Sequence, residues 1–406
     1  MKKVLVIGYV WPEPNSSAAG SHMLSQLRLF KQQDWHVEFA SPAQTTSHQI
    51  NLTVEGISQK AIRLNCDSFN DYAIAYNPDI VLFDRFMMEE QFGWRIDQYC
   101  PNAVKILDTE DLQCLRFARQ QALKQDRDFN DSDLVNDIAK REIAAILRCD
   151  LSLIISPYEI ALLVEYFKVD PDLLHFLPFM VDLTLLPDKS LAFEQRQHFI
   201  TIGNFRHAPN WDAVLYLRSL WPKIRQHLHQ AECHLYGAYP PPKATALNNP
   251  KIGFLVKGWA DDASLAMGQA RICLAPLRFG AGLKGKLLDA MITQTPNITT
   301  PIGAEGMADT HPWPGIIARD DKGFIQAAIT LYQDQDQWAI SQQYCHKLLQ
   351  QTYDAKTLGI ALIDRINSIS AYLKQHRLAN FTGAMLKHHT LASTRYMSQW
   401  ITAKNK

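Results

Sequence analysis

The chain is 406 residues long, more than one hydrophobic core usually organises, so two domains are expected. Hydrophobic residues make up 47% and charged residues 20%, the balance of an ordinary globular protein. Lys and Arg total 41, as do Asp and Glu, which excludes a global positive field and with it a nucleic-acid partner.

KVLVIGY, at the start, follows the pattern of a signal peptide. Trp11-Pro12 ends the run and no small-residue cleavage site follows, so it reads as a buried first strand. A helical pattern from Ser21 to Gln33 comes next, then the strands HVEFAS, DIVLFD, VKILDT and LSLIIS, with a helix over Asp131 to Leu147 before the last. The alternation begins again with HFITIGNF, ECHLYG, RICLAPL and PNITT, and with helices near Trp211 to Leu228 and Lys284 to Thr293. Strands alternating with helices mark βαβ units and parallel sheets.

The expected fold is therefore α/β: two Rossmann-like, doubly wound domains facing a central cleft. The prolines and charges of PFMVDLTLLPDKSLAFEQRQ mark the junction, dividing residues 1–180 from 181–355. A helix over about 356–378 crosses back to the first domain, and 379–406 forms a helical tail. That tail is read as packed across the domains, with a membrane contact through Tyr396, Trp400, Lys404 and Lys406 as the alternative. No apolar run of roughly 18 residues exists to span a membrane. The seven cysteines are scattered and contain no Cys-x-x-Cys, which points to a reducing, cytoplasmic setting.

In such sheets ligands bind beyond the carboxyl ends of the strands. After RICLAPL comes RFGAGLKGKLLDAM, with glycines at Gly280, Gly282 and Gly285 and a helix beginning near Leu283. Bare backbone and a helix N-terminus form an anion site suited to a diphosphate, with the amides of Gly282 and Leu283 as donors. Lys284 and Lys286 lie on different helix faces, so one of them reaches in. Asp108, Glu110 and Asp111 cluster after VKILDT, either for acid–base work or as a helix cap. Arg85, Glu89 and Glu90 in DRFMMEEQFGWR face an acceptor or belong to a charged surface helix.

GAGLKGKLLDAMITQTPNITTPIGAEGM resembles the donor-binding segment of GT-B glycosyltransferases of family 4, also called group 1. GNFRHAPNWDAVLYLRSLWPKI and WPEPNSSAAGSHMLSQLRLF resemble two other loops of that family. The resemblance implies that Asp289 accepts the ribose hydroxyls and that Gly203, Arg206, Gly303 and Glu305 belong to the donor site. It places Gly20 near the phosphates or the acceptor. It also implies catalytic work for Arg206, Lys286 and the cluster of Asp108, Glu110 and Asp111. The family's second acid, eight positions before Asp289, is here Ala281.

The expected activity is transfer of a sugar from a UDP- or GDP-linked donor to an acceptor of unknown type: a growing cell-surface glycan, a lipid-linked sugar or a protein. Retention of configuration is implied by the resemblance. No cofactor is expected beyond the nucleotide-sugar co-substrate, and with no Asp-x-Asp or His-Glu-x-x-His, no metal. The location is cytoplasmic, or peripheral at the inner membrane face. A non-catalytic sugar-nucleotide-binding or scaffold protein and a GT-B-like epimerase are the alternatives. A nicotinamide dehydrogenase is disfavoured because VIGYVWPEPNSSAAG contains no Gly-x-Gly-x-x-Gly.

Overall fold

The computed structural model describes residues 1–186 and 190–405, with the side chains of 389–392 outside that description. Pro187, Asp188 and Lys189 of the expected junction, and Lys406 of the tail, therefore lie outside the described residues.

The first sheet is built from β1 (Lys3–Ile7), β2 (His36–Ser41), β3 (Ser58–Ala61), β4 (Ile80–Asp84), β5 (Val104–Asp108), β6 (Leu151–Ile154) and β7 (Leu174–Phe176). All are parallel, in the order β3-β2-β1-β4-β5-β6-β7. β1 shows why these apolar runs become central strands. Its side chains alternate between faces, so Val4 and Val6 enter one cluster with Leu27 and Leu82, while Leu5 and Ile7 enter another with Phe92 and Ile146. The helices used below are α1 (Ala18–Gln32), α2 (Phe86–Tyr99), α3 (Gln113–Lys124), α4 (Asp137–Arg148) and α5 (Pro157–Glu165).

The second sheet contains β8 (Gln197–Ile202), β9 (Cys233–Tyr236), β10 (Phe254–Gly258), β11 (Ala270–Ala275), β12 (Asn297–Thr299) and β13 (Gly315–Ile317), in the order β10-β9-β8-β11-β12-β13. Its core centres on Phe199, Trp221, Leu235 and Ile298. The helices α6 (Ala208–His227) and α7 (Gly285–Ile292) follow β8 and β11. Chain order reverses between β1 and β4 and between β8 and β11, the two switch points at which doubly wound sheets open a crevice.

Strands β3, β7, β10 and β13 are absent from the sequence reading. β3 is exposed at every residue, so it carries no apolar pattern, and β7 and β13 are three residues each. The helix expected from Ser21 begins at Ala18 because Ser17 caps it, accepting the Gly20 amide. The helix expected from Asp131 starts at Asp137, after a 3₁₀ turn and the Asn136 cap.

Past the second sheet the chain returns beside its outgoing strand: Val181 donates to Tyr353 and accepts from Ala355. α8 (Ala355–Ala371) then places Leu362, Ile363, Ile366 and Ile369 in the first domain's core. The expected 356–378 helix breaks at Tyr372. α9 (Phe381–Lys404) packs on α2 and α4 of the first domain, where Arg95 donates to Ser398 at 2.6 Å and Gly383 lies against the Leu147 carbonyl. These contacts of its described residues are with the first domain, where the sequence reading laid the tail across both.

Candidate functional site

The carboxyl ends of the two sheets face each other and touch. Asn204 donates to Ser16 at 3.3 Å, Tyr239 donates to Glu13 at 3.0 Å, and the rings of His48 and Trp259 stack at 4.2 Å. The glycine-rich loop that precedes α7 also meets the first domain. Gly282 holds φ +60°, and a Cβ there would lie 2.8 Å from that of Asp111. A Cβ at Gly285 would lie 2.3 Å from that of Ala18. These glycines are required by the approach of the other domain.

That packing corrects several expected donor contacts. The Gly282 amide donates to Glu159 on α5 at 2.7 Å, so it is already spent. Lys284 is buried and turns back to donate to the Gly282 carbonyl at 2.6 Å; burial brings its ammonium down to about 8, against the pull of Glu305 and Glu159. Arg119 on α3 grips Glu305 with both guanidinium arms, at 2.7 and 2.8 Å, and donates to the Gly280 carbonyl at 2.9 Å. Glu159 is pushed up to about 8 by burial and by Asp111. Gly280, Gly282, Lys284 and Glu305 thus form an interdomain seam.

What faces water is the next turn. The amides of Leu283, Gly285 and Lys286 find no acceptor among the described residues, as expected at a helix start. Lys286 and Asp289, three residues apart on α7, share the open side. Water reaches both, yet protein surrounds them. Desolvation raises the Asp289 carboxyl to about 7 against Lys286, and lowers the Lys286 ammonium to about 8 against Cys273 and Asp289.

Opposite stands His207, whose Nε2 is 3.5 Å from Arg116 on α3. Desolvation first, then Arg116, Lys286 and Arg85, hold this imidazole down at about 4, with Asp111 opposing, although its edge is open to solvent. Cations of both domains therefore bear on one ring at the mouth of the cleft. The sequence reading singled out neither His207 nor Arg116, since their meeting joins two domains.

The acidic cluster divides. Asp111 pairs with Arg116 at 2.5 Å. Asp108 is buried and accepts from Gln26 at 2.5 Å and from the Glu110 amide at 3.1 Å, so it positions its neighbour. Glu110 has φ +62° and a carboxyl raised to about 7 by burial and by Asp108; His22 stands 3.8 Å away. Arg85 likewise has φ +70°. Two non-glycine residues in the left-handed region at adjacent strand ends are the kind of strain found at functional sites. His22, buried among acids that outweigh its desolvation and raise its pKa, was also missed.

Other expected residues lie elsewhere. Glu89 is buried in an ion pair with Arg148, and Glu90 pairs with Arg141 on the outer surface, because α2 turns both toward α4. Arg206 stacks over Tyr239, 3.7 Å from the ring centre, and lines a separate pocket of about 630 Å³ with Trp211, Pro240 and Lys243. Gly203 and Gly303 serve packing: a Cβ would strike Asn210 at 2.6 Å in one and Thr299 at 1.8 Å in the other. Gly20 donates to Ser17 in the first turn of α1, and a Cβ there would meet the Glu13 backbone.

Among the described residues, two groups could hold a metal, each with ligand atoms within 4.8 Å of one another. His22, Asp108 and Glu110 lie in the cleft. His198, Glu232 and His234 lie near the amino ends of β8 and β9, away from it, and are tied together by hydrogen bonds.

Residues 196–334 match the family model of glycosyl transferases group 1. No curated protein matches the chain. Among solved structures, sucrose-phosphate synthase from Thermosynechococcus elongatus is similar at a TM-score of 0.68 and 14% identity, over 91% of this chain and 100% of that one. S. aureus TarM, in a complex containing UDP, gives a TM-score of 0.70 and 10% identity over 90% and 100%. Anabaena HepE, in complex with UDP-glucose, gives 0.69 and 11% over 91% and 100%. The chain thus has the fold of the GT-B glycosyltransferase structures, and its residues 196–334 match the group 1 glycosyl transferase model.

Proposed function

We propose that this chain transfers a sugar from a UDP- or GDP-linked donor to an acceptor hydroxyl, with no metal or further cofactor. The observation that carries the proposal is the bare N-terminus of α7, with Lys286 on its open side and with Arg116 of the other domain 3.5 Å from His207. Such amides and cations neutralise a departing nucleoside diphosphate. As the bond between the anomeric carbon and the phosphate oxygen breaks, charge grows on that oxygen, and fixed cations and amides stabilise it most in the transition state. Asp289, ionised above about pH 7, accepts the ribose hydroxyls. Glu110, poised near neutrality, orients the acceptor hydroxyl. The group 1 resemblance implies retention, in which case the acceptor's proton passes to the leaving phosphate.

UDP is the favoured carrier, because TarM and HepE were solved with UDP or UDP-glucose. Thermal-shift titration with UDP- and GDP-sugars, followed by nucleoside diphosphate release with and without EDTA, tests the whole reading. Binding with EDTA-insensitive release supports it; loss of release with EDTA moves the chemistry to a metal at His22, Asp108 and Glu110.

One observation favours a non-catalytic binding protein as the second reading. Ala281 packs into the first domain's core, where the family's sugar-contacting acid would stand. Donor binding without any nucleoside diphosphate release would select it.

A further inference from the structure

The last helix turns several large apolar side chains of its described residues away from the fold. Phe381, Met385, Tyr396 and Trp400 share an arc of about 100° on α9 at 3.6 residues per turn. Phe381 is 77% exposed, Tyr396 67% and Trp400 59%. Tyr372 and Leu378, just upstream, are exposed as well. The opposite face holds the helix in place through Gly383, Ser398 and Thr402, which donates to the Asn65 carbonyl at 3.0 Å.

Charge says what covers that face. In a chain of zero net charge, residues 365–406 contain seven Lys and Arg and no Asp or Glu. Arg395 and Lys404 flank the aromatic stripe, Lys404 lying 5.1 Å from the Trp400 ring centre, and Lys374 is exposed beside Tyr372. Arg63 and Leu64, exposed next to Asn65, extend the same surface. The acids beneath are answered from within: Asp97 by Lys105 and Lys387, and Asp67 by Arg95. No helix among the described residues is long and apolar enough to cross a membrane.

We propose that α9 docks the chain on an anionic lipid bilayer. Phe381, Met385, Tyr396 and Trp400 enter the headgroup boundary, and Lys374, Arg395 and Lys404 pair with lipid phosphates. Aromatic rings with flanking cations suit that depth, where one end of the side chain is apolar and the other wet. A second copy of this chain would bring the same cations against each other.

The test is flotation of the full chain with vesicles of phosphatidylcholine alone or mixed with phosphatidylglycerol. The chain should float with the mixed vesicles, stay down with phosphatidylcholine, and be released by high salt. K374Q/R395Q/K404Q should weaken binding about a hundredfold, and F381S/W400S should abolish it, each with an unchanged melting temperature. A chain that ignores the mixed vesicles, or variants that float like the wild type, would overturn the proposal. So would a dimer, seen by light scattering and lost in F381S/W400S, without vesicle binding. Donor turnover measured without lipid stays separate from this outcome.

Discussion

The amide of Gly282 in the second domain donates to the carboxyl of Glu159 in the first, across 2.7 Å of buried space. The same oxygen accepts from the Leu112 amide at 3.0 Å, so one side chain ties the glycine-rich loop to the start of α3. The proposed donor site therefore rests on a seam set by long-range contacts.

Glu159 is raised to about 8, so at neutral pH it is mostly protonated and a neutral amide replaces it well. Glu159→Gln should melt close to the wild type at pH 7. Glu159→Ala leaves the Gly282 and Leu112 amides without their acceptor, at about 1–3 kcal/mol for each buried group. Differential scanning calorimetry of the pair checks this; equal melting temperatures for both variants would show that the bond does not hold the seam.

Lys286→Ala should lower turnover about a hundredfold or more while the melting temperature holds, because the charge it answers grows at the reacting bond. Lys286→Arg should recover part of the loss. Steady-state rates with a UDP-sugar donor, beside a thermal melt, decide it.

Donor affinity should peak between about pH 7 and 8. Below about 7 Asp289 takes up a proton and stops accepting two ribose hydroxyls; above about 8 Lys286 loses its charge. Asp289→Asn should flatten the acid limb, and Lys286→Arg should carry the alkaline limb upward. Donor KM measured across pH reads both.

His207 should titrate near pH 4 in the free protein and higher once a diphosphate offsets its cationic neighbours. Arg116→Ala should raise it without ligand. In stability terms the depressed value means that protonation costs the folded state. His207 therefore contributes destabilisation that grows as pH falls from its ordinary value of 6.5 toward 4. An NMR titration of the histidine ring protons would show the shift, and a ring titrating at its ordinary value would show that these cations do not bear on it.

The central strands were legible because a strand buried on both faces writes itself as a continuous apolar run, as in KVLVI. β3 was not, since an exposed edge strand needs no such run. In the site, Lys286 and Asp289 could be read from one local motif. Glu89 could not be placed, because its burial depends on Arg148, 59 positions away. The meeting of His207 with Arg116 spans 91 positions and two domains. Glycines 282 and 285 were read as room for a ligand; they are room for the neighbouring domain.

The paired crossings at Val181 and Tyr353–Ala355 lash the outgoing and returning backbone together. Two cords bound side by side act like the spine of a book. They hold the two halves in one alignment, so that the Glu159 and Arg119 contacts across the seam meet in a single register.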